Sequence, residues 1–228
     1  PGLSGKCGPA VRRKWLFATM LKYFPFMKNK IKVIRNMVSQ ELIQSMAKES
    51  APEITASTAM LKITTVGRLT RPKNIDGAVD ILAKLRECGI DAEWFVIGDG
   101  EEREKLKKMI LRYKLEEKFH LIGARANPYP YMDNCDIYVQ PSRWEGYGIT
   151  VAEAKVLCKP IVVSDIPEFQ EQIEDGVTGR IASNEQEIVN ILAELSYNSN
   201  ERERLIENLK QIEANNNELI QFCQLIDN

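Results

Sequence analysis

Short apolar runs alternate with longer amphipathic stretches through most of the chain. Residues 61–66, 92–97, 119–122, 136–140 and 161–164 are rich in β-branched and aromatic side chains, and each predicts a buried strand. Between them, residues 75–88, 101–113 and 149–159 read as helices and 129–134 as a short one, the run 149–159 being free of Gly and Pro, and Pro167-Glu168 reads as the start of another. Strands that are apolar on both faces and alternate with helices predict a parallel sheet covered on both sides by right-handed crossovers. The fold class is therefore α/β, a doubly wound parallel sheet of Rossmann-like type. In such a sheet the ligand is expected beyond the carboxyl ends of the strands, at the point where strand order reverses.

The flanks read differently. Residues 1–10 are rich in Gly and Pro, lack an initiating Met and read as an expression remnant rather than structure. Over residues 11–30, Leu16, Phe17, Met20, Leu21 and Phe24 fall at helical spacing among Lys and Arg, predicting a basic amphipathic helix. It suits an anionic membrane surface or, the reading we favour, an interdomain helix whose apolar face belongs against another domain. Residues 31–37 predict a short strand, and residues 40–57 a helix and polar linker that Ala51-Pro52 ends. From residue 184 the composition turns helical and polar, with a break near Asn198-Ser199-Asn200. The predicted organisation is thus 1–30, 31–183 and 184–228, the middle segment being the ligand-binding domain.

Composition narrows the chemistry. The chain has 228 residues, 44% hydrophobic and 28% charged, enough for one sizeable α/β domain. Residues 1–38 hold every charge as Lys or Arg, against a whole-chain formal net charge of −1, so a basic head precedes an acidic body. Cys7, Cys88, Cys135, Cys158 and Cys223 include no C-x-x-C pair, which points to neither a disulfide framework nor a zinc site and fits a reducing cytoplasm. The one histidine, His120, lies in a predicted strand, so triad chemistry built on His is not indicated. No apolar run has the length to span a bilayer, and nothing in the pattern points to nucleic acid.

One stretch carries the densest chemistry: Pro141-Ser142-Arg143-Trp144-Glu145-Gly146-Tyr147-Gly148-Ile149-Thr150-Val151-Ala152-Glu153-Ala154. It joins a predicted strand to a predicted helix through two glycines. Gly146 and Gly148 let the backbone bend toward a ligand, and the free amides of the helix's first turn, from Gly146 to Ile149, point at a negative group there. A carboxylate facing phosphate would repel it, so Glu145 and Glu153 must meet another part of the ligand, and sugar hydroxyls are natural donors to them.

The frame Glu145-Gly146-Tyr147-Gly148-Ile149-Thr150-Val151-Ala152-Glu153, with the preceding Pro141-Ser142 and the following Lys159-Pro160-Ile161-Val162-Val163 and Glu174-Asp175-Gly176-Val177-Thr178-Gly179-Arg180-Ile181, resembles the E-x7-E signature of the retaining glycosyltransferases of group 1, or family 4, which have the B-type fold of two Rossmann domains. The resemblance spans about residues 29–183 and implies the C-terminal, donor-binding half of such an enzyme. Val66-Gly67-Arg68-Leu69 followed by Lys73 resembles the family's G-R-L…K-G segment, with Asn74 in place of Gly, and Met37 likewise replaces the usual Gly of the family's domain crossing.

The implied roles are specific. A nucleoside diphosphate leaves with growing negative charge, and with no Asp-x-Asp pair to hold a metal, Arg68 and Lys73 would supply the positive charge. By the resemblance, catalytic roles fall to Arg68, Lys73 and Glu145, with Glu145 on the sugar or its phosphate side. Donor binding falls to Gly67, Gly98, Gly123, Gly146, Tyr147, Gly148, Ile149 and Glu153, the last on the ribose hydroxyls. No metal or cofactor is expected. The substrate is a nucleotide diphosphate sugar, a UDP-sugar favoured over a GDP-sugar, and the acceptor is a glycan or glycolipid hydroxyl, as in polysaccharide biosynthesis. The partner is an N-terminal acceptor domain, and the location cytoplasmic, peripheral on the inner membrane face through the basic head. By itself the chain is expected to be inactive, and a nucleotide-sugar-binding module without turnover is the alternative. Trp144 serves packing or sugar stacking.

Two further readings are weaker. Gly98-Asp99-Gly100 after a strand begins a dinucleotide fingerprint, but Arg103 stands at the third glycine and Glu101 and Glu102 would face the pyrophosphate, which speaks against NAD. Asp99 is instead expected to cap the following helix. A nucleotide-sugar epimerase of the same fold group is more distant, given the loop around Glu145.

Overall fold

The computed structural model describes residues 22–27 and 38–214. The basic helix predicted over 11–30 lies outside them except at 22–27, where Pro25–Met27 forms a single 3-10 turn and Tyr23, Phe24 and Phe26 are exposed. The strand predicted over 31–37 and the last residues of the C-terminal helical region also lie outside.

Six strands form one sheet: β1 (Leu61–Val66), β2 (Ala92–Ile97), β3 (Phe119–Gly123), β4 (Ile137–Gln140), β5 (Ile161–Ser164) and β6 (Arg180–Ala182). Every pairing is parallel, and the order is β3-β2-β1-β4-β5-β6. The doubly wound class is thus as expected. Strand order reverses between β1 and β4, so the crevice for a ligand opens where the loops after these two strands diverge. β6 was not foreseen as a strand. It has three residues and begins with Arg180, so it offers no apolar run to read.

The helices are α1 (Gln40–Met46), α2 (Pro52–Thr55), α3 (Ile75–Glu87), α4 (Arg103–Arg112), α5 (Tyr129–Asp133), α6 (Ile149–Val156), α7 (Pro167–Gln170), α8 (Glu185–Tyr197) and α9 (Ser199–Ala214). Successive side chains of a strand point to opposite faces, and two cores result. Leu61, Ile63, Trp94, Val96, Ile137, Val139 and Val162 pack under α3 and α8, whereas Phe95, Ile97, Tyr138, Ile161 and Val163 pack against Ile54, Met132, Val151, Ala154 and Phe169. Trp94 is fully buried with its indole N–H donated to Thr65 Oγ1 at 3.0 Å, so the core's largest side chain leaves no orphan donor.

Local details correct two expectations. Pro52 does not end a helix but opens α2 at its first position, where its fixed φ fits and its missing N–H costs nothing. Asp99 does not cap α4: the helix starts after Glu102, and the Asp99 carboxylate instead accepts from Gly100 N at 2.8 Å within the loop. His120 sits on edge strand β3, stacked on Phe95 with its Nε2 3.1 Å from Glu93, a structural placement as expected.

Candidate functional site

The loop after β1 runs through Gly67 and Arg68 into a 3-10 turn, Arg71–Lys73, and enters α3 at Asn74. Asn74 has φ 55°, in the left-handed region that an L residue other than Asn or Asp seldom adopts. Asn in place of the expected Gly therefore preserves the backbone and adds a cap, since its side chain accepts from Gly77 N at 3.2 Å. The Lys73 stem turns back over Gly67. A Cβ at position 67 would lie 3.3 Å from Lys73 Cδ, so glycine leaves the path open.

The loop after β4 comes to meet it, tethered by Arg143 N donating to Pro72 O at 2.8 Å and by the Arg143 guanidinium on Asp76 at 3.0 Å. This brings together two residues far apart in sequence: Lys73 Nζ lies 2.6 Å from Glu145 Oε1, with the side chains 18% and 8% exposed. Ser142 Oγ donates to the same oxygen at 2.7 Å. Arg68, five residues before Lys73, is exposed, and its carbonyl accepts from Thr70 N at 2.9 Å. An ammonium has three donors, so Lys73 can hold Glu145 and still offer protons to an anion.

Gly148 is the N-cap of α6, with φ 78°, and a Cβ there would fall 2.5 Å from Phe169 Cε1, so only glycine fits. No side chain caps α6, so the amides at its start have no side-chain partner. The Tyr147 carbonyl accepts from Gln172 Nε2, which fixes the loop from behind. Gly146 has open space around it, and Ile149 and Trp144 are exposed, which settles Trp144 as outside the core.

Glu153 lies one turn into α6, apart from the Lys73 pair. Its Oε1 accepts from Tyr129 OH at 3.1 Å, and burial raises its carboxyl above the ordinary value despite that bond. The Tyr129 phenol is pushed up to about 12 by burial and by the facing carboxylate. On the β1 side, Gly98 has φ 150° and passes so close to Gly67 that a Cβ would stand 1.9 Å from Gly67 O. Gly98 N donates to Gly123 O at 2.9 Å, so Gly67, Gly98 and Gly123 form a continuous glycine floor across the ends of β1, β2 and β3. No group of three His, Cys, Asp or Glu among the described residues is placed to hold a metal ion.

The family model for glycosyl transferases group 1 matches residues 48–212. The chain belongs to this family. Among curated relatives, it is 27% identical over 145 residues to an uncharacterized glycosyltransferase of Methanocaldococcus jannaschii, covering 63% of this chain and 36% of that protein. It is 29% identical over 153 residues to the alpha-D-kanosaminyltransferase of Streptomyces kanamyceticus, covering 65% and 40%. Among solved structures, Anabaena HepE in complex with UDP-glucose superposes with a TM-score of 0.75 at 24% identity, over 86% of this chain and 56% of that one. A glycosyltransferase of Rickettsia africae gives 0.76 at 18%, over 93% and 60%. This group 1 chain thus spans well under half the length of those curated relatives, and its fold is that of B-type glycosyltransferases.

Three partners of the group 1 signature were not singled out in the sequence. Ser142 was visible only as part of Pro141-Ser142, Gln140 only as the last residue of a run read as apolar, and Tyr129 gave no signal, because its link to Glu153 depends on how α5 packs beside α6. No helix among the described residues is long and apolar enough to cross a membrane.

Proposed function

We propose that this chain is the donor-binding half of a retaining glycosyltransferase that moves a sugar from a nucleotide diphosphate sugar, a UDP-sugar before a GDP-sugar, to a hydroxyl of a glycan or glycolipid. The observation that carries the reading is the Lys73–Glu145 pair at the β1/β4 switch point beside the uncapped start of α6. An anion and a hydroxyl-rich group can be met there side by side. The diphosphate lies on Arg68, on the two spare donors of Lys73 and on the amides from Gly146 to Ile149, so its departure needs no metal. Glu145 takes a hydroxyl of the transferred sugar, Glu153 the ribose hydroxyls, and Gly67, Gly98 and Gly123 allow the nucleoside close approach. HepE with bound UDP and UDP-glucose supports UDP as the first nucleotide to try.

The acceptor belongs to a second, N-terminal domain, so this chain alone binds donor without turnover. A nucleotide-sugar-binding module with no transfer of its own is the competing reading, which the partial coverage of the relatives keeps open. The basic residues before 39 would carry the cytoplasmic enzyme to an anionic membrane face.

Calorimetric titration of the chain with UDP, GDP and NADH in EDTA tests the site. UDP or GDP should bind without metal, and Arg68→Ala should weaken binding about tenfold, the loss typical of a charge-assisted contact. Saturable NADH binding with neither nucleotide bound would refute the reading. The competing module is separated by assaying the protein with its N-terminal domain for transfer.

A further inference from the structure

Beneath Glu145 runs a chain of buried polar groups. Tyr138, Gln140 and Ser142 are all fully buried, in and just after β4. Tyr138 OH donates to Gln140 Oε1 at 2.7 Å, and Thr150 Oγ1, in the first turn of α6, donates to the same atom at 3.3 Å. A carboxylate oxygen only accepts, so the single proton of the Ser142 hydroxyl is committed to Glu145 Oε1, and this fixes the amide with its carbonyl oxygen toward Tyr138 and Thr150. Gln140 Nε2 must then face Ser142 Oγ, at 2.9 Å, as donor. With its lone pair engaged, the Ser142 hydroxyl gives its proton to Glu145 Oε1. The backbone beside it is also held, because the Ser142 carbonyl accepts from Ser164 Oγ.

Every step of this relay has one direction, and its end point is a carboxylate oxygen. Ser142 and Lys73 both land on Oε1, while Oε2 receives no hydrogen bond from a described residue. We propose that Gln140 and Ser142 are positioning residues that saturate Oε1 from the protein side and thereby present Oε2 to a single ligand donor, a hydroxyl of the transferred sugar. This rests on the donor-site reading above. It explains why a strand otherwise apolar ends in a fully buried glutamine: an apolar side chain would fill the space but leave Ser142 free to rotate its proton away from Glu145.

The test uses the 228-residue chain with UDP, which lacks the sugar, and UDP-glucose as probes. Ser142→Ala and the volume-conserving Gln140→Met should leave UDP affinity within about twofold and weaken UDP-glucose about tenfold, the scale of a hydrogen bond to a charged group. Ser142→Thr, which keeps the hydroxyl, should restore UDP-glucose binding. Folded variants that lose both ligands equally, or neither, would overturn the positioning role, whereas a wild-type chain that binds neither ligand would instead refute the donor site. Crystal structures of the two variants read the positioning independently of any ligand. The Glu145 carboxylate should leave its wild-type orientation in both, and an unmoved carboxylate counts against the proposal whatever the binding data give.

Discussion

The Lys73–Glu145 pair makes a quantitative demand on stability. The two groups are 2.6 Å apart with side chains 18% and 8% exposed, so each compensates its partner's charge in a poorly hydrated place. Breaking a buried pair by deleting one member costs about 3–5 kcal/mol, and the partial exposure of Lys73 lowers that to about 2–4 kcal/mol here. Lys73→Met leaves Glu145 with the Ser142 hydroxyl alone, and Glu145→Gln leaves the ammonium facing an amide. The double variant holds no stranded charge, and replacing a buried pair by uncharged groups is often nearly neutral, so it should cost no more than about 3 kcal/mol. The coupling energy in the cycle is then at least about 1 kcal/mol. Urea denaturation of the four proteins measures it, and each single variant should also melt roughly 4–16 °C below wild type, at about 2–4 °C per kcal/mol for a chain of this size. Additivity within about 0.5 kcal/mol would mean that the contact contributes nothing and that the side chains meet only by proximity.

Geometry and burial lead to two more expected outcomes. Gly98→Ala must accommodate a Cβ that would stand 1.9 Å from Gly67 O at φ 150°, so it should cost about 3–5 kcal/mol and abolish nucleotide binding with it; a melting temperature within a few degrees of wild type, read by circular dichroism, would contradict this. Burial raises the Glu153 carboxyl above 4.5, so between that value and the raised one the folded state holds more protons than the unfolded, and stability falls as pH rises through the window. Glu153→Gln removes the buried charge. It should melt higher than wild type above the window, with the advantage vanishing below about pH 4.5, and a difference independent of pH would show that the carboxylate is well hydrated.

The strands were legible because parallel strands covered on both faces read as unbroken apolar runs, as in Trp94-Phe95-Val96-Ile97. β6 escaped because an edge strand of three residues need not be apolar. The glycine loop and both Glu were legible because the chemistry is concentrated in one local segment. The pairing of Lys73 with Glu145 was not, since it exists only once β1 lies beside β4, and no local spacing encodes strand order. Lys73 was expected on the diphosphate and Glu145 on the sugar; nothing in the sequence indicated that they would hold each other. Pro52 misled because Pro both ends and begins helices, and the residues on its C-terminal side decide between the two. Gln140 carried a signal that went unread, a polar side chain where the strand's pattern demands an apolar one.

The glycines after the strands are better understood from the lysine than from the loop. Lys73 brings its ammonium to Glu145 at the switch point, and its stem reaches there across Gly67, where a Cβ would lie 3.3 Å from Lys73 Cδ. Just after β1, the Gly67 carbonyl lies against position 98, which must then also be glycine, and Gly98 N donates to the Gly123 carbonyl at the end of β3. Gly67 and Gly98 are thus linked by close contact, whereas position 123 has room for a Cβ and takes glycine for its φ of 87°. A substitution at Gly67 should therefore act on ligand binding through Lys73, and the need for glycine at positions 67 and 98 is one of packing before it is one of binding.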